Sequence, residues 1–263
     1  MSATPIVLSI AGYDPSSGAG VTADIKTAAA HGCYAVTCIT ALTVQSTAGV
    51  RRVEPLRAVT VADTLAELAK DVEIAAVRIG MLGSAEVADA VAGFLESSAF
   101  PNIVLDPILK SSSGAGLLDP TGIEVLKTRL LPLADVVTPN IDEAAVLAGM
   151  PVEDLDGMRA AAGRLQELGA RAVVVTGGHL PEPVDLLCYG EMEREYPGRR
   201  IESRSTHGTG CAFATALACR LALGSGLTDA VGLAKQYVAD AIASAVPIGR
   251  GKGPLNHFIR GKR

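Results

Sequence analysis

Residues 6–20 read IVLSIAGYDPSSGAG, and this stretch decides the fold. Ile6 to Ile10 is a short apolar, β-branched run, residues 11–20 are small, polar and glycine-rich, and Val21 to His31 continues with helical spacing. Strand, loop and helix in that order make the unit of a parallel α/β sheet. Its buried strands read as unbroken apolar runs, and its ligands bind in the loops that follow the strand carboxyl ends. Gly18 and Gly20 allow the backbone to come close to a ligand. The loop lacks the Lys-Ser/Thr ending of a Walker A phosphate loop.

The unit recurs along the chain. Tyr34 to Thr40 reads as a second strand, Leu42 to Gly49 as a polar excursion carrying Gln45 and Ser46, and Arg51 to Pro55 as a strand before a helix over Val59 to Lys70. Strand Ala76 to Ile79, helix Ala85 to Glu96 and strand Ile103 to Leu105 follow. Then come strand Val136-Val137, helices Ala144 to Ala148 and Leu155 to Leu168, and strand Ala172 to Val175. A hairpin of Pro183 to Tyr189 and Met192 to Pro197 turns at Gly190, and helices Ala212 to Leu223 and Thr228 to Ala245 close the chain. Alternation of this kind implies right-handed crossovers and a mainly parallel sheet with helices on both faces. A length of 263 residues suits one core, no stretch has a linker's composition, and no repeat of fixed period is present, so residues 1–263 read as a single domain.

Composition excludes several classes of function. Aromatic residues are 3% with no Trp, which argues against stacking on bases, and a net charge of −5 leaves no footprint for a polyanion. No apolar run reaches bilayer length and no signal segment opens the chain, so the expectation is a soluble, cytoplasmic protein acting on neither nucleic acid nor membrane. The cysteines, Cys33, Cys38, Cys188, Cys211 and Cys219, form an odd set without a CxxC pair and read as free thiols. The histidines lie too far apart for a structural zinc site.

The chemistry concentrates on His207-Gly208-Thr209-Gly210-Cys211, which leads into the most apolar helical pattern of the chain. Two glycines ahead of a helix let its first free N–H groups, at the positive end of the dipole, converge on one anion. Cys211 reads in two ways: as a small buried hydrophobe, or as a base whose thiol pKa is lowered by the helix end with His207 near. Asp106, at a strand's carboxyl end before Pro107, is placed to hold a metal, or is a turn residue. Gln45 offers donor and acceptor side by side, a match for an aminopyrimidine edge, or is a solvated loop amide. The acids Asp142 and Glu143 open a helix and read as dipole partners.

Taken together, Ala11-Gly12-x-Asp14-Pro15-Ser16-x-Gly18-Ala19-Gly20, Ala23-Asp24-x-Lys26-Thr27, Gln45, Gly80-Met81-Leu82, Asp106-Pro107, Thr138-Pro139-Asn140-x-x-Glu143-Ala144, Gly177-Gly178-His179 and His207 to Cys211 resemble the hydroxymethylpyrimidine and phosphomethylpyrimidine kinases of thiamine synthesis. The resemblance runs from about Ile6 to His257 and includes Gly251-Lys252-Gly253-Pro254-Leu255. It implies the ribokinase-like fold without a separate lid domain, a homodimer, and the cofactors ATP and Mg²⁺. It also implies roles: Gln45 and Asp24 hydrogen-bond the pyrimidine, while Ala19, Met81 and Ile108 line its pocket. Asn140, Glu143, Thr176 and His207 attend the nucleotide, Asp106 and Glu143 the metal, Gly208, Thr209 and Gly210 the anion hole, and Cys211 is the base.

Two positions depart from the family pattern. Thr176 stands where Lys often precedes Gly-Gly-His, and Ser112-Ser113-Gly114 stands for Lys-Ser-Gly, with Lys110 the candidate replacement. Loss of two cations predicts a weaker second phosphorylation. Two alternatives stay open, a pyridoxal or pyridoxine kinase and a non-catalytic pyrimidine or nucleotide sensor.

Overall fold

The computed structural model describes residues 4–111, 114–178 and 180–259. Within them one sheet is built from β1 (Ile6–Tyr13), β2 (Tyr34–Ser46), β3 (Gly49–Pro55), β4 (Ile74–Ile79), β5 (Ile103–Leu105), β6 (Val136–Val137), β7 (Ala172–Gly177), β8 (Val184–Tyr189) and β9 (Met192–Pro197). The strand order is β3-β2-β1-β4-β5-β6-β7-β8-β9. Pairing is parallel from β2 across to β7 and antiparallel where β3, β8 and β9 are added at the edges. The helices are α1 (Gly20–Ala30), α2 (Ala58–Asp71), α3 (Ala85–Glu96), α4 (Pro120–Val125), α5 (Ile141–Ala148), α6 (Leu155–Glu167), α7 (Thr209–Ala222) and α8 (Leu227–Ala243).

The unbroken apolar strands are divided between two cores by the period of two. Val7, Ala76, Val104, Val136 and Val174 pack with residues of α1, α7 and α8. Their neighbours Leu8, Val77, Leu105, Val137 and Val175 pack on the other face with residues of α2, α3, α5 and α6. Alanines suit α7 because it lies against β1, β4 and β5 and also touches α1 and α8. With Ala212, Ala214, Ala216 and Ala218 fully buried, small side chains let this helix approach the sheet closely.

Strand order reverses around β1, whose neighbours are β2 and β4, so a crevice opens outside the carboxyl ends there. The loops after β1, β4, β5, β6 and β7 all rise to that edge, and the first turn of α7 joins them.

Two local expectations are corrected. The polar excursion at 42–49 is the distal half of a hairpin, since β2 continues to Ser46 and pairs with β3 from Ala41↔Pro55 to Ser46↔Gly49. Alternation explains it: Leu42 and Val44 are exposed on one side, while Thr43 and Gln45 line the crevice on the other. The second correction is α4, a short element not expected from the sequence, begun by Pro120 at the first position and by Asp119, which accepts from Gly122 N at 2.7 Å. It runs on through a π-helical turn at 126–130 and a 3₁₀ turn at 131–133.

Candidate active site

The crevice encloses about 550 Å³ and is lined by Ala19, Gln45, Met81, Asp106, Ile108, Asn140, Glu143, Thr176 and His207 to Cys211. The structure therefore brings together every site residue expected from the sequence except one. Asp24 is fully buried beneath the floor, where Ser9 Oγ and Thr215 Oγ1 donate to its two oxygens at 2.6 and 2.7 Å. Arg78 Nη1 is 3.2 Å from Asp24 Oδ2. A carboxylate with its lone pairs so occupied has no access to a ring in the crevice, so Asp24 is a support and not a pyrimidine contact. His179, Ser112 and Ser113 lie outside the described residues.

Arg78 was not singled out by the sequence motifs. It is completely buried on β4 and its Nη2 reaches Asp106 Oδ2 at 2.6 Å. A signal for it exists: an arginine inside the apolar run 74–79 requires buried acidic partners. Gly80 makes room for it, since a Cβ there would overlap Arg78 Nη1.

The floor carries more acid than base. Burial pushes Asp106 up to about 6 against the pull of Arg78. Burial, reinforced by the Asp106 charge, raises Glu143 to about 8 although the amides of Asn140 and Leu109 donate to it. Asn140 and Glu143 also close a capping box on α5, Glu143 N donating to Asn140 Oδ1 and Asn140 N to Glu143 Oε2, each at 2.9 Å. Among the described residues no three His, Cys, Asp or Glu side chains cluster to chelate a metal.

Cys211 sits in the first turn of α7, 7% exposed. The lowered thiol pKa expected from sequence is overturned: burial pushes the thiol up to about 11, with Asp106 and Asp24 adding to the rise and Arg78 opposing it. Helix ends lower a thiol pKa only where solvent or cations outweigh desolvation. Gly208 is held at φ +85°, and a Cβ there would overlap Gly18 O, so the loop after β1 and the turn before α7 touch through two glycines.

His207 faces the Gln45 side of the crevice. Its Nε2 lies 2.7 Å from Asp14 Oδ2 and 3.1 Å from Gln45 Nε2. Asp14 is itself buried, which works to raise its pKa, but the bonds from His207 and Ser16 outweigh burial and leave it lowered. Gly253 O accepts from His207 N at 3.0 Å, and this pairing carries Lys252 into the crevice lining, a cation to which the sequence motifs assign no role. Lys110 and Thr43 line it as well.

Known proteins share this fold. A family model described as phosphomethylpyrimidine kinase matches residues 14–256. This chain belongs to the phosphomethylpyrimidine kinase family. Like its family it is a phosphotransferase of ribokinase-like fold. It is 41% identical to a hydroxymethylpyrimidine/phosphomethylpyrimidine kinase of Streptomyces coelicolor, over 96% of this chain and 94% of that protein. It is 44% identical to a thiamine biosynthesis bifunctional protein of Geobacter sulfurreducens, matching 96% of this chain but spanning 52% of that longer protein. A pyridoxal kinase of Bacillus subtilis, solved as an ADP complex, superposes with a TM-score of 0.89 at 32% identity, covering 97% of this chain and 98% of that one.

The buried charges of this kinase should be visible in its stability. Arg78→Met should cost about 3–5 kcal/mol in urea unfolding at pH 8, because it strands two buried carboxylates, and should cost less at pH 5, where Asp106 takes up a proton. Asp106 and Glu143 have folded pKa values, about 6 and about 8, that exceed their ordinary ones. The folded state then holds protons that the unfolded chain releases, so without divalent cation stability should fall as pH rises from about 4 to about 8. Glu143→Gln should flatten the upper part of that fall in denaturation curves taken from pH 5 to 8.5.

Proposed function

We propose that this chain transfers the γ-phosphate of ATP to the hydroxymethyl group of 4-amino-5-hydroxymethyl-2-methylpyrimidine, and then phosphorylates the monophosphate. One observation carries the reading: the amide of Gln45 contacts His207, the residue immediately before the Gly208 turn, so a group that reads a ring edge adjoins a helix N-terminus that holds anions. Met81 and Ile108 pack together beside it and supply an apolar wall for the ring. The similarity to kinases named for this substrate supports the same conclusion.

Mg²⁺ fits the acid pair. Asp106 and Glu143 are driven towards protonation by burial, a cost that a cation held by them would remove. With two carboxylates and no larger cluster among the described residues, the ion would complete its shell with phosphate oxygens and water, as Mg²⁺ does. Bound there it would neutralise phosphate charge. The free N–H groups of Thr209, Gly210 and Cys211 would hold the transferred phosphoryl group. Cys211 would take the proton of the substrate hydroxyl as its oxygen bonds to phosphorus and the bond to the ADP oxygen breaks. Asn140 and Thr176, joined by a parallel bridge, would form the wall along the nucleotide.

A pyridoxal kinase is the second reading, favoured by the close superposition on such an enzyme and by Thr176. The functional unit we propose is residues 1–263 acting from the cytoplasm as a homodimer; exposed Leu42 and Val44 on the hairpin back support the dimer, and among the described residues no helix is long and apolar enough to cross a membrane.

Incubation with Mg-ATP and a panel of hydroxymethylpyrimidine, its monophosphate, pyridoxal and pyridoxine, read by mass, should give pyrimidine products. Monophosphate should accumulate before diphosphate, since Thr176 stands where the family often has a lysine; turnover confined to pyridoxal or pyridoxine would overturn the reading. Cys211→Ala should lower kcat by about 10²–10⁴ with the pyrimidine KM largely retained. Because the wild-type thiol must first lose its own proton, kcat should climb from pH 7 to 9, and the Ala variant should lose that slope. Equal turnover of the two proteins at saturating substrate would remove Cys211 from the mechanism.

A further inference from the structure

Gln45 stands between two groups whose protons are already committed. Its Nε2 is 3.1 Å from His207 Nε2 and its Oε1 is 3.2 Å from Thr43 Oγ1. The same His207 nitrogen is 2.7 Å from Asp14 Oδ2, and the same Thr43 hydroxyl is 2.9 Å from Tyr13 O.

Asp14 accepts from Ser16 N, Ser16 Oγ, Gly18 N and Ala19 N at 2.8, 2.7, 3.2 and 2.9 Å. A carboxylate in that setting only accepts, so the proton in its contact with His207 is carried by Nε2. A ring nitrogen bearing that proton has no lone pair left for a Gln45 N–H. The Tyr13 carbonyl likewise only accepts, so it takes the one proton of the Thr43 hydroxyl and none remains for a Gln45 carbonyl. That hydroxyl can still accept.

A half-turn of the amide relieves both ends together: its oxygen then faces the Nε2–H of His207 and shares the proton given to Asp14, while its NH₂ donates to Thr43. We propose that the Asp14–His207 pair and Thr43 are positioning residues that lock Gln45 with its carbonyl on the His207 side and its amino group on the Thr43 side, and so decide which ring edge the crevice accepts.

With its flanks engaged, the amide presents a leading edge of one lone pair and one N–H to the crevice. A ring matches only if it brings a donor to the His207 side and an acceptor to the Thr43 side. A 4-amino group beside the unprotonated ring N3 is such a pair, and it places the exocyclic amine towards His207. The 4-oxo analogue, as its lactam, carries acceptor and donor in the reverse order. Turning that ring over to restore the match would swing its 5-hydroxymethyl group away from the Gly208 turn. The inference rests on the aminopyrimidine reading above and adds to it the polarity of the amide and the residues that set it.

The test compares the amino compound with its 4-oxo analogue by calorimetry and by kcat/KM on the intact chain. The wild-type protein should prefer the amino compound by about 100-fold or more, as sites built to pair a polar edge do. Thr43→Val removes the acceptor, frees the amide to turn, and should lower that preference at least about tenfold, with the change carried by KM. Thr43→Ser should restore it. Equal weakening of both compounds, or an unchanged preference, in the Val variant would overturn the lock.

A readout without substrate separates this from failure of the functional reading. In ¹⁵N-labelled, ligand-free protein His207 should be protonated at Nε2, and the Gln45 side-chain NH₂ signals should shift in Thr43→Val. A ring protonated at Nδ1 alone would overturn the lock whatever the substrate proves to be.

Discussion

A buried guanidinium organises this molecule. Arg78 projects from the middle of the sheet with no exposed surface, and such a charge survives burial only if acids come to it. Asp24 comes from α1 and Asp106 from the end of β5, and Asp24 in turn takes the hydroxyls of Ser9 on β1 and Thr215 on α7. Five elements around the strand-order reversal, β4 with α1, β5, β1 and α7, are thereby held in one geometry. The first turn of α7, where an anion would bind, is set beside Asp106, where a cation would.

That arrangement explains why the crevice floor is electrostatically unfinished. One guanidinium faces Asp24 and Asp106, and Glu143 adds a further acid whose pKa rises partly through repulsion by Asp106. A protein selected for stability alone would remove the surplus acid. A site that received phosphates with a divalent cation would use it, because the ion would supply the missing charge and the helix end the matching dipole. The same burial that raises the acids keeps the Cys211 thiol protonated.

Much of the site is legible in the amino-acid order. Gly208, Gly210, Cys211, Asp106, Gln45, Asn140 and Glu143 stand beside strand ends or helix starts, and in a doubly wound sheet those positions gather at one edge. Their partners are what stays hidden. Arg78 is 54 residues from Asp24 and 28 from Asp106, and His207 is 193 from Asp14, separations over which no periodicity carries information. The hairpin of β2 and β3 is hidden for another reason: its alternation of Leu42 and Val44 with Thr43 and Gln45 looks like a polar loop unless the opposing strand is known.

The sequence by itself determined the layered α/β architecture, because unbroken apolar strands must be covered on both faces and helices of 3.6 period are what lies between them. It also determined where chemistry was to be sought, because glycine next to a helix start exposes N–H groups regardless of context. Only the tertiary structure decided that Asp24 is a buried support and that His207 belongs with Gln45. It alone decided that the Cys211 thiol is raised and not lowered. Each of these depends on how much water reaches the group and which charge stands beside it, and both are set by segments remote in the chain.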